Sequence, residues 1–175
     1  MTPVNIKWLW SPIEAEDSAR DIEDRFIAQG LTLSDLERSV YVIRTSSIFS
    51  FNYPKRTSPA LYIGQGRFGL RIYKHFEWLD HLIGFTKHLP LEVAVATPRV
   101  RNNRNAHKEL EAFLLKEFYE QFGSLPFRNR KVETARYSHL YNHNVASQVF
   151  DHGSGKRYYW SLHPLKGNPL DRSAQ

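Results

Sequence analysis

Cysteine is absent from the 175 residues of the sequence. Disulfides, thiolate metal sites and cysteine nucleophiles are therefore excluded, and any metal ion must be bound by oxygen or imidazole ligands. Long hydrophobic runs are missing as well, since no segment approaches the roughly 18 apolar residues of a membrane span. The N-terminus carries Lys7 within a short apolar stretch and lacks the features of a signal peptide. We therefore expect a soluble, cytoplasmic protein that does not enter a membrane.

Negative charge is the scarcer sign, because 24 lysines and arginines stand against 18 aspartates and glutamates, for a formal net charge of +6. This balance suits a polyanionic partner such as nucleic acid, although an ordinary basic protein shows it too. The length allows one sizeable hydrophobic core but hardly two. We expect one compact unit with an N-terminal helical extension over residues 1–38, a core over 39–131 and a C-terminal β-rich extension over 132–175.

The N-terminal part carries a helix signal. Ser11-Pro12-Ile13-Glu14 has the pattern of a capping box with proline at the first helical position, and apolar residues follow at helical spacing. These features predict a helix from about residue 12 to residue 29, ended by Gly30. Its outer face is acidic, which disfavours contact with phosphates. One further helical turn is predicted at residues 34–37.

The central part has the order strand, strand, helix, strand, helix. β-forming residues predict antiparallel strands at 39–45 and 60–64, separated by a long connection. Helical periodicity then predicts a helix from near Phe68 to Gly84, and another of about residues 105–122 follows the strand at 91–97. Short strands at 137–144, 145–150 and 157–162 and a loose tail complete the chain. The expected fold class is α+β, with a small antiparallel sheet flanked by helices.

Two of the predicted helices carry polar residues with catalytic chemistry. Arg71 and His75 project from one helix face, where a guanidinium can bind a phosphate and an imidazole can move a proton. Taken alone, this pair is more typical of a solvated helix face. Glu111 adjoins the apolar face of the later helix, where a carboxylate is costly unless it is paired or binds a metal ion. Mg²⁺ accepts a single carboxylate together with water and phosphate oxygens, but a salt bridge would satisfy Glu111 as well.

Basic residues cluster at both ends of the helix that carries Glu111. They are interleaved with asparagines, a composition that suits a phosphate backbone and also a solvated loop. Two further basic residues lie in the long connection, from which they can reach a groove or a backbone. The predicted nucleic-acid-binding residues are Lys55, Arg56, Arg99, Arg101, Arg104, Arg128, Arg130 and Lys131.

An ordered set of short motifs resembles the GIY-YIG nuclease superfamily: Ser39-Val40-Tyr41, Tyr62-Ile63-Gly64, Arg71 to His75, Leu110 to Leu115 and Pro126 to Asn129. The resemblance covers residues 39–129, and it implies the same order of strands and helices that the periodicity predicts. One departure is Ser39, which replaces the glycine of the first triplet. The long segment between Tyr41 and Tyr62 and the spacing of arginine and histidine are more similar to the restriction-enzyme members.

The resemblance implies an endonuclease that hydrolyses DNA phosphodiester bonds with one divalent cation, Mg²⁺ or Mn²⁺. Tyr41, assisted by His75, would act as the general base or orient the attacking water, and Tyr62 would hydrogen-bond the phosphate or the water. Arg71 would stabilise the charge that grows on the phosphate, and Glu111 would hold the metal ion. Because tyrosine has an ordinary pKa near ~10, a basic tyrosine needs a neighbouring group to lower it.

Other expectations concern the site's remaining residue and its partners. Asn129 matches the superfamily's asparagine and would organise the site. The partner would be double-stranded DNA, with a homodimer as one way to cut both strands. A non-catalytic nucleic-acid-binding module on the same fold is the alternative function, and a structural protein with an incidental basic surface is another. In either case Tyr41 and Tyr62 would pack as ordinary strand aromatics.

Overall fold

A computed structural model of the protein describes residues 4–46, 49–85, 91–131, 139–151 and 160–162. Its elements, in chain order, are β1 (Leu9–Ile13), α1 (Ala19–Ala28), α2 (Leu33–Leu36), β2 (Ser39–Thr45), β3 (Phe49–Asn52), β4 (Thr57–Ser58), β5 (Ala60–Gly66), α3 (Phe68–Phe85), β6 (Leu91–Ala96), α4 (Ala106–Phe122), α5 (His143–Phe150) and β7 (Trp160–Leu162). The fold is α+β, as the sequence predicted. None of the helices in these ranges has the length and apolarity that a bilayer crossing needs.

The central sheet is antiparallel and has the strand order β1-β6-β2-β5. All residues of β2 are buried, because this strand lies between β5 and β6 and is rich in β-branched residues. A smaller sheet has the order β4-β3-β7, in which β3 and β7 run parallel. The strands β3 and β4 lie in the long connection between β2 and β5.

Helices cover the central sheet. On α1, Ile22 and Phe26 are fully buried, and the ring of Phe26 meets that of Phe68 at the start of α3 with 5.4 Å between centroids. Phe68 in turn meets Tyr41 of β2 at 5.6 Å, so this aromatic series connects α1 and α3 to the sheet. Twelve of the 17 residues of α4 are buried, because α4 packs against β2, β5 and α5.

The prediction for the N-terminal helix was wrong at its start. Residues Leu9–Ile13 form β1, and the capping box that begins the helix is Ser18 with Asp21, seven residues after Ser11. Pro12 is tolerated because β1 is an edge strand, where a missing N–H group breaks few ladder bonds. The end of the helix is as expected, since Gly30 follows it with φ +99°.

Predictions for the central part are confirmed within one or two residues at β2, β5, α3, β6 and α4. The C-terminal prediction was wrong at residues 145–150, which belong to the helix α5. The apolar residues Val145, Ala146, Val149 and Phe150 have helical spacing, and all four are buried. Only part of the other two predicted strands is described: Tyr141 makes an isolated bridge to Val4, and β7 occupies 160–162. The predicted tail from residue 164 lies outside the described residues.

A buried arginine attaches α5 to the sheet. Arg44 on β2 donates from Nη1 to the carbonyl oxygens of Gln148 (3.1 Å), Val149 (3.3 Å) and Asp151 (2.8 Å), at the C-terminal end of α5. Its Nε bonds to Glu92 at 2.7 Å. Positive charge at a helix C-terminus is favourable, because the last carbonyl groups have no partner within the helix.

Candidate functional site

The register of β2 and β5 brings two tyrosines together. Tyr41 lies opposite Gly64, and Tyr62 lies two residues before Gly64 on the same face of β5. The two rings are 5.9 Å apart between centroids. A Cβ atom at Gly64 would lie 2.7 Å from Cζ and Oη of Tyr41 and 2.6 Å from Cε1 of Tyr62. Glycine is therefore required at this position, because any side chain would displace one of the rings.

Ser39 lies at the position where the resemblance implies a glycine, and its side chain has hydrogen-bond partners. Ser39 is fully buried and lies opposite Gly66 at the start of β2. Its hydroxyl donates to the carbonyl oxygens of Leu36 at 3.1 Å and Gly66 at 3.2 Å. The buried hydroxyl is thus satisfied at the start of the pairing between β2 and β5.

A series of hydrogen bonds runs from Trp78 through His75 and Tyr41 to Tyr62, and each residue donates to the next. The indole Nε1 of Trp78 donates to His75 Nδ1 at 3.0 Å, and an indole nitrogen can only donate. The neutral imidazole therefore carries its proton on Nε2, which donates to Tyr41 Oη at 2.9 Å. Tyr41 also shares a hydrogen bond with Tyr62, and this bond raises the pKa of Tyr41 because the neutral phenol donates in it. The series ends at Tyr62, which is partly exposed.

The protonation states follow from burial and charge. Burial, followed by the positive charges of Arg71 and Arg128, lowers the pKa of His75 to about 4, so the ring is neutral at physiological pH. Tyr41 is fully buried, and this burial raises its pKa well above the ordinary value. The charge of Glu111 raises the pKa of Tyr41 further, whereas that of Arg71 lowers it. Tyr41 is therefore a neutral phenol that keeps its proton at physiological pH.

Arg71 and Glu111 reach this group from two different helices. Arg71 is exposed on α3 and influences the pKa of both Tyr41 and His75. Glu111 is buried on α4, with 8% of its surface exposed, and its charge acts on Tyr41. The predicted residues Tyr41, Tyr62, Arg71, His75 and Glu111 therefore come together from β2, β5, α3 and α4.

The fit of a metal ion depends on Glu111 alone. No cluster of three or more histidine, aspartate or glutamate side chains lies within the residues that the structure describes. A single carboxylate is nevertheless sufficient for Mg²⁺, which retains several waters and takes phosphate oxygens as further ligands. Glu109 and Glu117 on the same helix are also buried, and their carboxylates bond His139 Nδ1 at 2.8 Å and His143 Nδ1 at 2.7 Å. A carboxylate oxygen such as those of Glu111 is the donor type that a hard cation prefers.

Asn129 contacts the backbone of β5 and not the tyrosines. Its Nδ2 donates to the Ile63 carbonyl oxygen at 2.7 Å, and its Oδ1 accepts from the Ile63 amide at 2.9 Å. The Arg128 amide donates to the Leu61 carbonyl at 2.9 Å. These bonds satisfy backbone groups of Leu61 and Ile63, on either side of Tyr62, at the free edge of β5. Asn129 is therefore placed to hold the strand that carries Tyr62 and Gly64.

Two residues of this region were missing from the predicted site. Trp78 lies one helical turn after His75 and fixes its tautomer, and its ring lies 4.9 Å below the guanidinium of Arg128. An aromatic donor three residues after a candidate histidine was a signal that the sequence offered. Gly64 was part of a quoted motif, but only the approach of the two rings shows its steric role.

The predicted nucleic-acid-binding residues have different surroundings. Lys55 Nζ donates to the Glu120 carbonyl at 2.9 Å near the end of α4, and Arg56 bonds Asp151 at 2.6 Å. Arg99 bonds Asp35 at 2.5 Å, although its side chain is 79% exposed. These three residues have intramolecular partners, and their binding role stays a prediction. Five others are exposed and make no ion pair with the described residues: Arg101, Arg104, Arg128, Arg130 and Lys131.

Comparisons with protein-family models, curated proteins and solved structures gave no match for this chain. The resemblance to the GIY-YIG superfamily therefore remains an interpretation of the motifs and their order.

Proposed function

We propose that the protein is a metal-dependent endonuclease of the GIY-YIG kind, with Mg²⁺ or Mn²⁺ as cofactor and double-stranded DNA as substrate. The observation that carries this proposal is the convergence on one place of two tyrosines, a neutral histidine, an exposed arginine and a buried glutamate from four separate elements. Such a group combines proton-handling side chains with a phosphate ligand and a candidate metal ligand. Backbone binding alone requires only positive charge.

The geometry favours Tyr62 over Tyr41 as the side chain that meets the attacking water. Tyr41 is fully buried and already accepts the Nε2 proton of His75, so it is poorly suited to accept a further proton. Tyr62 is partly exposed at the end of the hydrogen-bond series. We therefore assign to Tyr41 and His75 the orientation of Tyr62, and to Tyr62 the contact with water or the scissile phosphate.

The remaining roles belong to the charged residues Arg71 and Glu111. The guanidinium of Arg71, exposed on α3, binds a non-bridging phosphate oxygen and stabilises the negative charge that grows there. The Glu111 carboxylate would hold the divalent cation. When bound, the cation would supply Lewis-acid stabilisation of the phosphate and of the leaving oxygen. Cutting both strands of a duplex would then need two copies of this site or two successive nicks.

Replacement of Glu111 tests the proposal. We expect the wild-type protein to nick or cut duplex DNA in the presence of Mg²⁺, and Glu111→Gln to lower the rate at least about 100-fold with DNA binding retained. Glu120→Gln is the matched control, because this glutamate lies on the same helix, is exposed and pairs with Lys116 at 3.7 Å. Equal cleavage by Glu111→Gln and the control would contradict the metal assignment.

Complete burial of Tyr41 with its raised pKa favours a second candidate, a non-catalytic nucleic-acid-binding module on the same fold. In this case Tyr41 is a core residue, and the polar residues around it catalyse no reaction. Binding without cleavage of duplex, branched, single-stranded and RNA substrates, with Mg²⁺ and with Mn²⁺, would favour this candidate.

A further inference from the structure

A second basic feature lies at the N-terminus of α4. The loop between β6 and α4 and the helix α2 enclose a concave depression of about 940 Å³. Four arginines and one aspartate line it, giving a formal charge of +3 from the side chains: Arg38, Arg99, Arg101, Arg104 and Asp35. We call this feature the arginine depression. Arg38 lies in the turn after α2 and is not one of the predicted nucleic-acid-binding residues.

The single carboxylate in the arginine depression is already neutralised. Asp35 accepts hydrogen bonds from the Thr32 amide at 3.0 Å and the Thr32 hydroxyl at 2.8 Å, and Arg99 bonds it at 2.5 Å. The pKa of Asp35 is lowered, first by the Thr32 amide and also by Arg99. Arg38, Arg101 and Arg104 are exposed and make no ion pair within the described part of the chain. Three guanidinium groups thus remain available to a ligand.

The start of α4 opens into the arginine depression. Asn105, the N-cap residue, makes no side-chain hydrogen bond to the helix, and Ala106 and His107 line the depression. No acceptor among the described residues bonds the amides of Ala106 and His107, although the next two amides bond the Asn105 carbonyl. The first amides of a helix with 17 residues carry partial positive charge and attract anions.

A histidine also lines the arginine depression. His107 is mostly buried, with 8% of its surface exposed, and its ring has no hydrogen-bond partner in the described ranges. Burial, followed by Lys108 and Arg38, lowers the pKa of His107, so the ring is neutral and has one N–H donor. The ring nitrogens are still accessible from the depression, where an anion can accept a hydrogen bond from the N–H group.

We propose that the arginine depression is a phosphate-binding site, separate from the tyrosine group, that takes a backbone phosphate of the nucleic acid. Its donors are the guanidinium groups of Arg38, Arg101 and Arg104, the ring of His107 and the free amides of α4. This proposal rests on the proposed function for the choice of nucleic acid as the source of the phosphate. Free inorganic phosphate has the same chemistry, and the experiment below distinguishes the two.

The first experiment measures duplex DNA binding by fluorescence anisotropy in EDTA, over a series of salt concentrations. For the double variant Arg101→Gln/Arg104→Gln we expect about tenfold weaker binding and a log–log salt slope smaller by about two, because two phosphate contacts are lost. Lys116→Gln is the control, since Lys116 is an exposed cation on α4 outside the arginine depression. Equal slopes for wild type and the double variant would overturn the assignment of DNA to this site.

The second experiment follows the Ala106 amide and the His107 ring by ¹⁵N NMR during titration with inorganic phosphate and with duplex DNA. Shifts with both ligands, reduced in the double variant, support the proposal. Shifts with inorganic phosphate only would overturn the nucleic-acid source and identify a site for free phosphate. No shift with either ligand would overturn the phosphate site itself. Since no divalent cation is present, these outcomes do not depend on whether the protein cleaves DNA.

Discussion

At the scale of single residues, the site depends on close side-chain contacts that the sequence pattern does not reveal. The two tyrosines approach each other because Gly64 has no side chain, and the hydroxyl of Ser39 finds two carbonyl acceptors beside Gly66. The role of His75 is decided by Trp78, whose indole donates to Nδ1 and so leaves the ring proton on Nε2, the nitrogen that bonds Tyr41. Residue identity supplied the chemistry, and the neighbours decided the direction of each hydrogen bond.

Gly64→Ala provides a steric prediction. The new methyl group would lie 2.6–2.7 Å from Tyr41 and Tyr62, so we expect displaced rings, a loss of about 1–3 kcal/mol in the free energy of unfolding and strongly reduced cleavage. Urea unfolding and a cleavage assay measure the two effects. Gly69→Ala is the control, because its methyl group would meet the end of a flexible glutamate, Glu23 Oε1, at 2.7 Å. Equal tolerance at both glycines would show that the rings can move at little cost.

Trp78→Phe tests the hydrogen-bond series. Phenylalanine retains an aromatic ring but removes the donor to His75 Nδ1, so we expect the His75 proton to distribute between its two nitrogens. ¹⁵N NMR of the ring detects this change, and cleavage should fall about tenfold as Tyr41 loses its fixed donor. Trp10→Phe is a control on another aromatic. An unchanged tautomer in Trp78→Phe would mean that His75 is oriented by other contacts.

At the scale of elements, sequence-based prediction succeeded for the central helices and strands and failed for β1 and α5, which lie nearer the two ends of the chain. The long, strongly patterned α3 and α4 were predicted correctly, and so were β2 and β5. The Ser11 to Glu14 pattern predicted a helix, but Ser11 to Ile13 belong to β1, the edge strand that pairs with β6. A capping box is a local signal, whereas strand pairing is a long-range interaction that overrides it. The helix α5 was missed because its apolar residues also fit a short strand.

Asn129 belongs to this scale because it acts on a strand. Asn129→Ala removes both bonds to the Ile63 backbone, and we expect a loss of about 1–3 kcal/mol in the free energy of unfolding, with lower activity. Asn129→Asp keeps the acceptor for the Ile63 amide but sets a carboxylate oxygen against the Ile63 carbonyl oxygen, and because two acceptors repel each other its loss should be at least as large. Hydrogen exchange of the Ile63 amide would report the effect on β5. Wild-type protection of that amide in Asn129→Ala would contradict this role.

At the scale of the whole molecule, the folded chain keeps His75 neutral, and this makes its stability depend on pH. The folded pKa of about 4 is lower than the ordinary value of 6.5, so the unfolded state binds more protons between these limits. Stability should therefore be complete above pH 6.5 and fall as the pH decreases to about 4, by up to about 3 kcal/mol for this residue. His107, whose pKa is also lowered, contributes in the same direction.

Urea unfolding at a series of pH values measures this dependence, with His75→Gln as the comparison. We expect the variant to lose less stability than wild type between pH 6.5 and 4, and to retain the part that His107 contributes. Asp21 and Asp35, whose pKa values are lowered from the ordinary 3.8, also lose stabilisation as the pH approaches 4, but they do so in both proteins, so the difference between the two curves reports His75. Parallel curves for wild type and His75→Gln would contradict the low folded pKa.

The sequence by itself determined the α+β class, the order of the central elements and the residue types of the candidate site, because these follow from local periodicity and side-chain chemistry. Tertiary structure decided what depends on contacts between distant residues. It placed Leu9–Ile13 in the sheet, brought Glu111 to Tyr41, oriented His75 through Trp78 and gathered Arg38 with the loop before α4. Burial and hydrogen-bond direction arise only when the elements pack, since both depend on residues that are far apart in the chain.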